Sequence, residues 1–119
     1  MNILIVDDMR TDRQILGSIV VETGHQPVYA TDGSQVLSAA KTSRPALILL
    51  DVVMSGQDGY KTCRVLKADP ETAGIPVVLV TSKGSESDRF WARRQGAIEV
   101  VVKPYRAETI IETIRRYVG

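Results

Sequence analysis

Residues 46–59 read Ala46-Leu47-Ile48-Leu49-Leu50-Asp51-Val52-Val53-Met54-Ser55-Gly56-Gln57-Asp58-Gly59, or ALILLDVVMSGQDG. A strand with one wet face alternates apolar and polar side chains. A run with no polar break, closed by Asp and Gly and preceded by Pro45, instead predicts a strand covered on both faces, the signature of a parallel sheet under two layers of helices. Such a strand delivers Asp51 to its carboxyl end.

Working outward, four further apolar runs share this character: Ile3–Val6, Pro27–Ala30, Pro76–Val80 and Ile98–Val102. ILIV and VVLV are as unbroken as ALILL. Between the runs lie segments of helical pattern. The first helix is expected from Thr11 to Thr23, with Ile15, Leu16, Ile19 and Val20 on one apolar face and Gly24 as its stop. The second is expected over Gln35 to Lys41 and the third from Asp58-Gly59 to Ala68. A fourth, capped by Ser85 or Ser87, should run through Gln95, and a fifth from Ala107 to Tyr117, with Ile110, Ile111, Ile114 and Val118 inward. Alternating strands and helices predict a single α/β domain over residues 1–119, built of five βα units around a five-stranded parallel sheet with helices on both faces.

Composition limits the functions open to the chain. It has 119 residues, 44% of them apolar and 24% charged, and a net charge of +1. No global field recommends nucleic acid or an anionic membrane, so a charge-based function must be local. One cysteine, Cys63, excludes an internal disulfide and reads as a small buried hydrophobe; without a second thiol or a histidine cluster a zinc site has no ligands. The start has no secretory pattern and no run approaches a membrane span, which points to a cytoplasmic protein. His25 reads as loop surface, Trp91 as packing at the core or its rim, and Arg93-Arg94 and Arg115-Arg116 as solvated helix faces.

Asp7-Asp8 follow the first strand, Asp51 ends the third, Thr81-Ser82 ends the fourth and Lys103 ends the fifth. Taken singly each is ordinary: a turn, a cap, a loop, a linker fragment. Taken together they occupy the carboxyl ends of four parallel strands, where open α/β sheets bind ligands. Three close carboxylates repel one another and require protons or a cation. A hard divalent ion, Mg²⁺, suits oxygen ligands and accepts one or two carboxylates, a carbonyl and water. It would also let a carboxylate act as nucleophile toward a phosphoryl group, with Lys103 and Thr81 contacting phosphoryl oxygens.

With these residues assembled, the chain resembles a response-regulator receiver domain of the CheY type. The resemblance rests on ILIVDD, LILLDVVMSGQDGY, IPVVLVTS and RQGAIEVVVKP and the spacing among them, and it covers essentially the full length. It implies a doubly wound (βα)5 flavodoxin-like fold with sheet order 2-1-3-4-5, and that Asp51 is the phosphoacceptor. It also implies that Asp8, Asp51 and the Val53 carbonyl bind Mg²⁺ directly, with Asp7 acting through water. Thr81 is then the switch hydroxyl, Lys103 the phosphoryl contact, and Lys103-Pro104 a cis peptide. DRFWARRQGA and the stretch DGYKTCRVLKADPETAGIPVVLVTSK are similar to stand-alone regulators of the PilH and PilG type, which serve pilus-based motility. A two-component phosphorelay protein is therefore expected, not an enzyme beyond its own phosphotransfer and dephosphorylation. Its phosphodonor would be a histidine kinase. Because the chain ends at Gly119, its output is expected through protein association over the face of the fourth helix, fifth strand and fifth helix, as a monomer or weak dimer without nucleic acid or membrane.

Two departures stand out: Ser55 where the family often has proline, and Val100 where it often has an aromatic side chain. With Val100, a relay from Thr81 to that aromatic cannot run in its usual form, and Tyr105 offers another output element. An aspartyl-nucleophile phosphatase using Mg²⁺ is the enzyme alternative, but Val53 stands where its second acid belongs. A pseudo-receiver that takes no phosphoryl group is the other; the complete set of Asp7, Asp8, Asp51, Thr81 and Lys103 argues against it.

Overall fold

A computed structural model describes residues 1–54 and 56–119; Ser55, singled out above, lies outside the described residues. Five strands, β1 (Asn2–Val6), β2 (Gln26–Ala30), β3 (Leu47–Leu50), β4 (Val77–Thr81) and β5 (Glu99–Val102), form one sheet in the order β2-β1-β3-β4-β5. Every pairing is parallel. The helices are α1 (Arg10–Glu22), α2 (Val36–Ser43), α3 (Gly59–Ala68), α4 (Glu86–Arg94) and α5 (Ala107–Tyr117). This is the doubly wound α/β fold expected from the sequence, with each element within a few residues of its anticipated span. No helix is long and apolar enough to cross a membrane among the described residues.

The unbroken apolar runs are explained by two cores. Side chains of a strand alternate between faces, and alternate residues here enter different clusters. Leu4, Val6, Ile48, Leu50, Val77 and Leu79 pack with residues of α2, α3 and α4. Ile3, Ile5, Leu47, Leu49, Val78, Val80 and Val101 pack with Leu16, Ile19 and Val20 of α1 and Ile110 and Ile114 of α5. All four residues of β3 are fully buried. Each such side chain contributes about 1.5–3 kcal/mol by leaving water, so strand order and register follow from the need to bury both faces.

Helix ends are set locally. Asp58 caps α3 by accepting from Lys61 N at 2.9 Å. Ser85 caps α4 in a reciprocal arrangement with Asp88, whose N donates to Ser85 Oγ at 3.0 Å while Ser85 N donates to Asp88 Oδ2 at 3.2 Å. Gly24 and Gly96, just past α1 and α4, take φ of 86° and 102°, which a side chain resists. Replacing Ser85 with alanine should lower stability by about 1 kcal/mol, read as a lower urea midpoint with unchanged slope; an unaltered midpoint would show that α4 does not need its cap.

Three side chains differ from expectation. Ile15, read as part of the apolar face of α1, is 46% exposed, because that face aims Leu16, Ile19 and Val20 at the sheet and turns Ile15 aside. Trp91 is 48% exposed, and the buried residue that docks α4 is the small Ala92. His25 is half-buried, with Nε2 3.5 Å from the Gly119 carbonyl oxygen. Cys63 is fully buried as anticipated, and burial pushes its thiol pKa up to about 11, so it stays protonated and unreactive.

Candidate functional site

The backbone ladder continues past the strand ends and thereby fixes the acids. Asp7 N donates to Ala30 O at 3.3 Å, Asp51 N to Val6 O at 2.9 Å and Lys103 N to Thr81 O at 2.9 Å. Each residue therefore leaves the sheet in register with a neighbouring strand, and the side-chain alternation of that strand still applies. Asp7, Asp51 and Lys103 keep the parity of Ile5, Leu49 and Val101, which belong to the α1/α5 face; Thr81 keeps that of Val77 and Leu79, which belong to the other.

The contacts follow this division. Lys103 Nζ lies 2.9 Å from Asp7 Oδ2, 3.4 Å from Asp51 Oδ2 and 3.1 Å from Asp12 Oδ2. Asp7 and Asp51 are buried, at 1% and 9% exposure. Asp7 Oδ1 also accepts from Met9 N at 2.9 Å, and Arg13 donates to the Asp7 carbonyl at 2.9 Å. Asp51 Oδ1 accepts from Val52 N at 2.7 Å, which sets the plane of its carboxylate. Thr81 is buried, and its hydroxyl oxygen accepts from Lys83 N at 3.3 Å. Asp8 is exposed at the head of the loop after β1, and Val53 is exposed in the loop after β3. The peptide Lys103-Pro104 is cis.

Electrostatics at this edge are those of an acid excess. Burial raises the Asp51 pKa and the negative charge of Asp7 raises it further, while the Lys103 ammonium and the Val52 N–H only partly offset this. Burial lowers the Lys103 pKa, but the hydrogen bond to Asp7 and the charges of Asp51 and Asp7 outweigh it and raise it above the ordinary lysine value. Three carboxylates thus face one ammonium. Among the described residues no group of three or more His, Cys, Asp or Glu side chains is placed to hold a metal ion; Lys103 Nζ sits against the Oδ2 atoms of Asp7, Asp12 and Asp51 instead. The donor set still fits a hard cation: the oxygens are carboxylate, the local charge is negative, and Mg²⁺ needs only one or two protein carboxylates.

Of the residues singled out in the sequence, the structure joins Asp7, Asp51 and Lys103 directly and keeps Thr81, Asp8 and Val53 along the same edge. The sequence reading missed Asp12, in the first turn of α1. An acid there is ordinarily explained by the helix dipole; the cue lay in its distance of five residues from Asp7, which brings the first turn of α1 back over the end of β1.

A parallel five-stranded sheet that sets a lysine against two buried aspartates at its carboxyl edge defines a receiver domain. The family described as Response regulator receiver domain matches residues 3–115, and the chain belongs to it; such domains accept a phosphoryl group in two-component signalling and generally bind Mg²⁺ to do so. The chain is 40% identical to protein PilH of Pseudomonas aeruginosa, over 94% of this chain and 93% of that protein. It is 39% identical to response regulator PleD of Caulobacter vibrioides over 86% of its own residues, spanning only 22% of that longer protein. Among solved structures, chemotaxis protein CheY4 of Vibrio cholerae superposes with a TM-score of 0.92 at 26% identity, covering 98% of both chains.

Proposed function

We propose that residues 1–119 act as a cytoplasmic receiver unit that takes a phosphoryl group from a histidine kinase onto Asp51 and signals by protein association in pilus-based motility. The observation that carries the reading is the contact of Lys103 Nζ with both Asp7 and Asp51. Asp8, Asp51 and the Val53 carbonyl, with Asp7 through water, would hold Mg²⁺, which would supply charge neutralisation at the phosphoryl oxygens. An Asp51 carboxylate oxygen forms the new P–O bond as the P–N bond to the donor histidine breaks. The electron pair of that bond stays on the imidazole nitrogen, which takes a proton from water. The Val52 N–H holds the plane of the attacking carboxylate, Lys103 donates to a phosphoryl oxygen, and Thr81 exchanges its contact with Lys83 N for a second one. The output face is the groove between α4 and α5 beside the outer edge of β5, bordered by Arg89, Arg93, Arg106 and Arg116 around Val100 and Tyr105.

Treatment with acetyl phosphate and Mg²⁺ should add one phosphoryl group by mass spectrometry, and Asp51→Asn should show none while remaining folded; labelling of that variant would sink the assignment. The substitution should also raise stability at neutral pH. Because the folded-state pKa of Asp51 lies above its unfolded value, its favourable contribution is complete below the ordinary carboxylate pKa and is lost as pH rises through the folded value. The gain of Asp51→Asn in urea melts should accordingly vanish on acidification.

A further inference from the structure

We propose that Asp12 is a positioning residue that competes with the phosphoryl group for Lys103 and thereby limits both the uptake and the retention of phosphate. This rests on the reading of Asp51 as phosphoacceptor and Lys103 as its contact. An ammonium has three N–H donors, and three carboxylate oxygens stand against it, at 2.9 Å from Asp7, 3.1 Å from Asp12 and 3.4 Å from Asp51. A phosphoryl group carried by Asp51 turns that carboxylate into an uncharged acyl group and takes over its 3.4 Å contact, so the ammonium is drawn toward it and away from the two acids that stay charged. Those two are not equal. The Asp7 side chain is 2% exposed, so leaving it without its cation strands a charge away from water. The Asp12 side chain keeps 35% exposure and can be rehydrated. Asp12 is therefore the remaining contact that yields as the ammonium moves.

The position of Asp12 also explains the unequal distances. It sits on α1 and draws the ammonium to the Asp7 side of the site, leaving the longest of the three contacts to Asp51. Two effects of its charge act in the same direction. It attracts the lysine that phosphate needs, and it repels the dianionic phosphoryl group itself. Removing the charge while keeping the shape should make the site a better receptor, although the residue lies in contact with the machinery.

The experiment compares wild type with Asp12→Asn, Asp12→Ala and Asp12→Glu at saturating Mg²⁺. Beryllofluoride, a stand-in for the phosphoryl group on Asp51, should bind Asp12→Asn and Asp12→Ala about threefold to fivefold more tightly than wild type, the range open to an ion pair of this exposure. Asp12→Glu should restore the wild-type value. The advantage should shrink as salt is raised, which a packing defect would not produce. In metal-free protein the Lys103 ammonium protons should exchange with water faster in Asp12→Asn than in wild type by NMR. Equal or weaker beryllofluoride binding by both uncharged variants, with wild-type melting, overturns the role of Asp12. Failure of wild type itself to bind beryllofluoride or accept acetyl phosphate overturns the assignment of Asp51 and Lys103 instead.

Discussion

Lys103→Met should lower stability at neutral pH by about 2–3 kcal/mol in the presence of a chelator, somewhat below the cost of breaking a fully buried pair because the Lys103 side chain retains 20% exposure. The methionine fills the volume of the lysine stem, so the loss is electrostatic: Asp7 and Asp51 remain buried with no cation between them. The pH dependence has a definite sign. The folded-state pKa of Lys103 lies above the ordinary lysine value, so its contribution is complete below that ordinary value and is lost only in strong alkali. Across the neutral range wild type keeps the full benefit. On acidification the deficit of the variant should narrow, since Asp51, whose proton affinity burial has already raised, is neutralised early. Added Mg²⁺ should narrow it too, by returning positive charge to the same acids. Labelling by acetyl phosphate should fall by roughly a hundredfold, the cost of losing one oriented donor to developing charge. Urea melts over pH, with and without Mg²⁺, provide the check; a deficit independent of both pH and metal would mean that Lys103 stabilises the fold by packing alone.

The strands were legible because β1, β3 and β4 must satisfy two cores at once, and that demand writes unbroken apolar runs into the sequence; their order in the sheet came from the family resemblance, since the runs alone do not rank the strands. The acids and Lys103 were legible for a related reason: a carboxylate directly after such a run has only the sheet edge to occupy. What escaped was the azimuth of individual side chains on helices. Ile15 and Leu16 are neighbours in sequence, and a rotation of about 100° between them separates the buried residue from the exposed one. The outward turn of Trp91 was hidden likewise, because Ala92 at the next position lets α4 approach the sheet closely. Asp12 escaped because an acid in a first turn already has a sufficient local explanation. The split between Lys103 with its acids and Thr81 with Lys83 was available in principle from strand parity, but only once the ends of β4 and β5 were known to the residue.

Gly59→Ala should cost about 2 kcal/mol although it places a better helix former at the start of α3. Its backbone is not in the left-handed region, so propensity alone would favour alanine by about 1 kcal/mol. Packing decides the sign. A Cβ at Gly59 would run into the carbonyl oxygen of Asp51 and come within 2.7 Å of Val52 Cα. Both are backbone atoms at the end of the central strand and have no side-chain rotamer with which to yield. Gly59 N also donates to Val52 O at 2.8 Å, so pushing α3 outward breaks the bond that closes the loop after Asp51. Overpacking of this kind costs about 1–3 kcal/mol and should outweigh the gain in propensity. The displacement reaches the site, because the colliding carbonyl belongs to Asp51 and the adjoining Val52 N–H holds its carboxylate. Labelling by acetyl phosphate should therefore drop at least tenfold, since a shift of about 1 Å in a reacting group can cost up to a hundredfold. Gly74→Ala is the control: a Cβ there meets nothing within 4 Å, and both stability and labelling should stay at wild-type levels. A Gly59→Ala protein as stable and as readily labelled as the Gly74→Ala protein would show that the loop after Asp51 has slack, and that the contact of α3 with the strand end does not hold the acceptor in place.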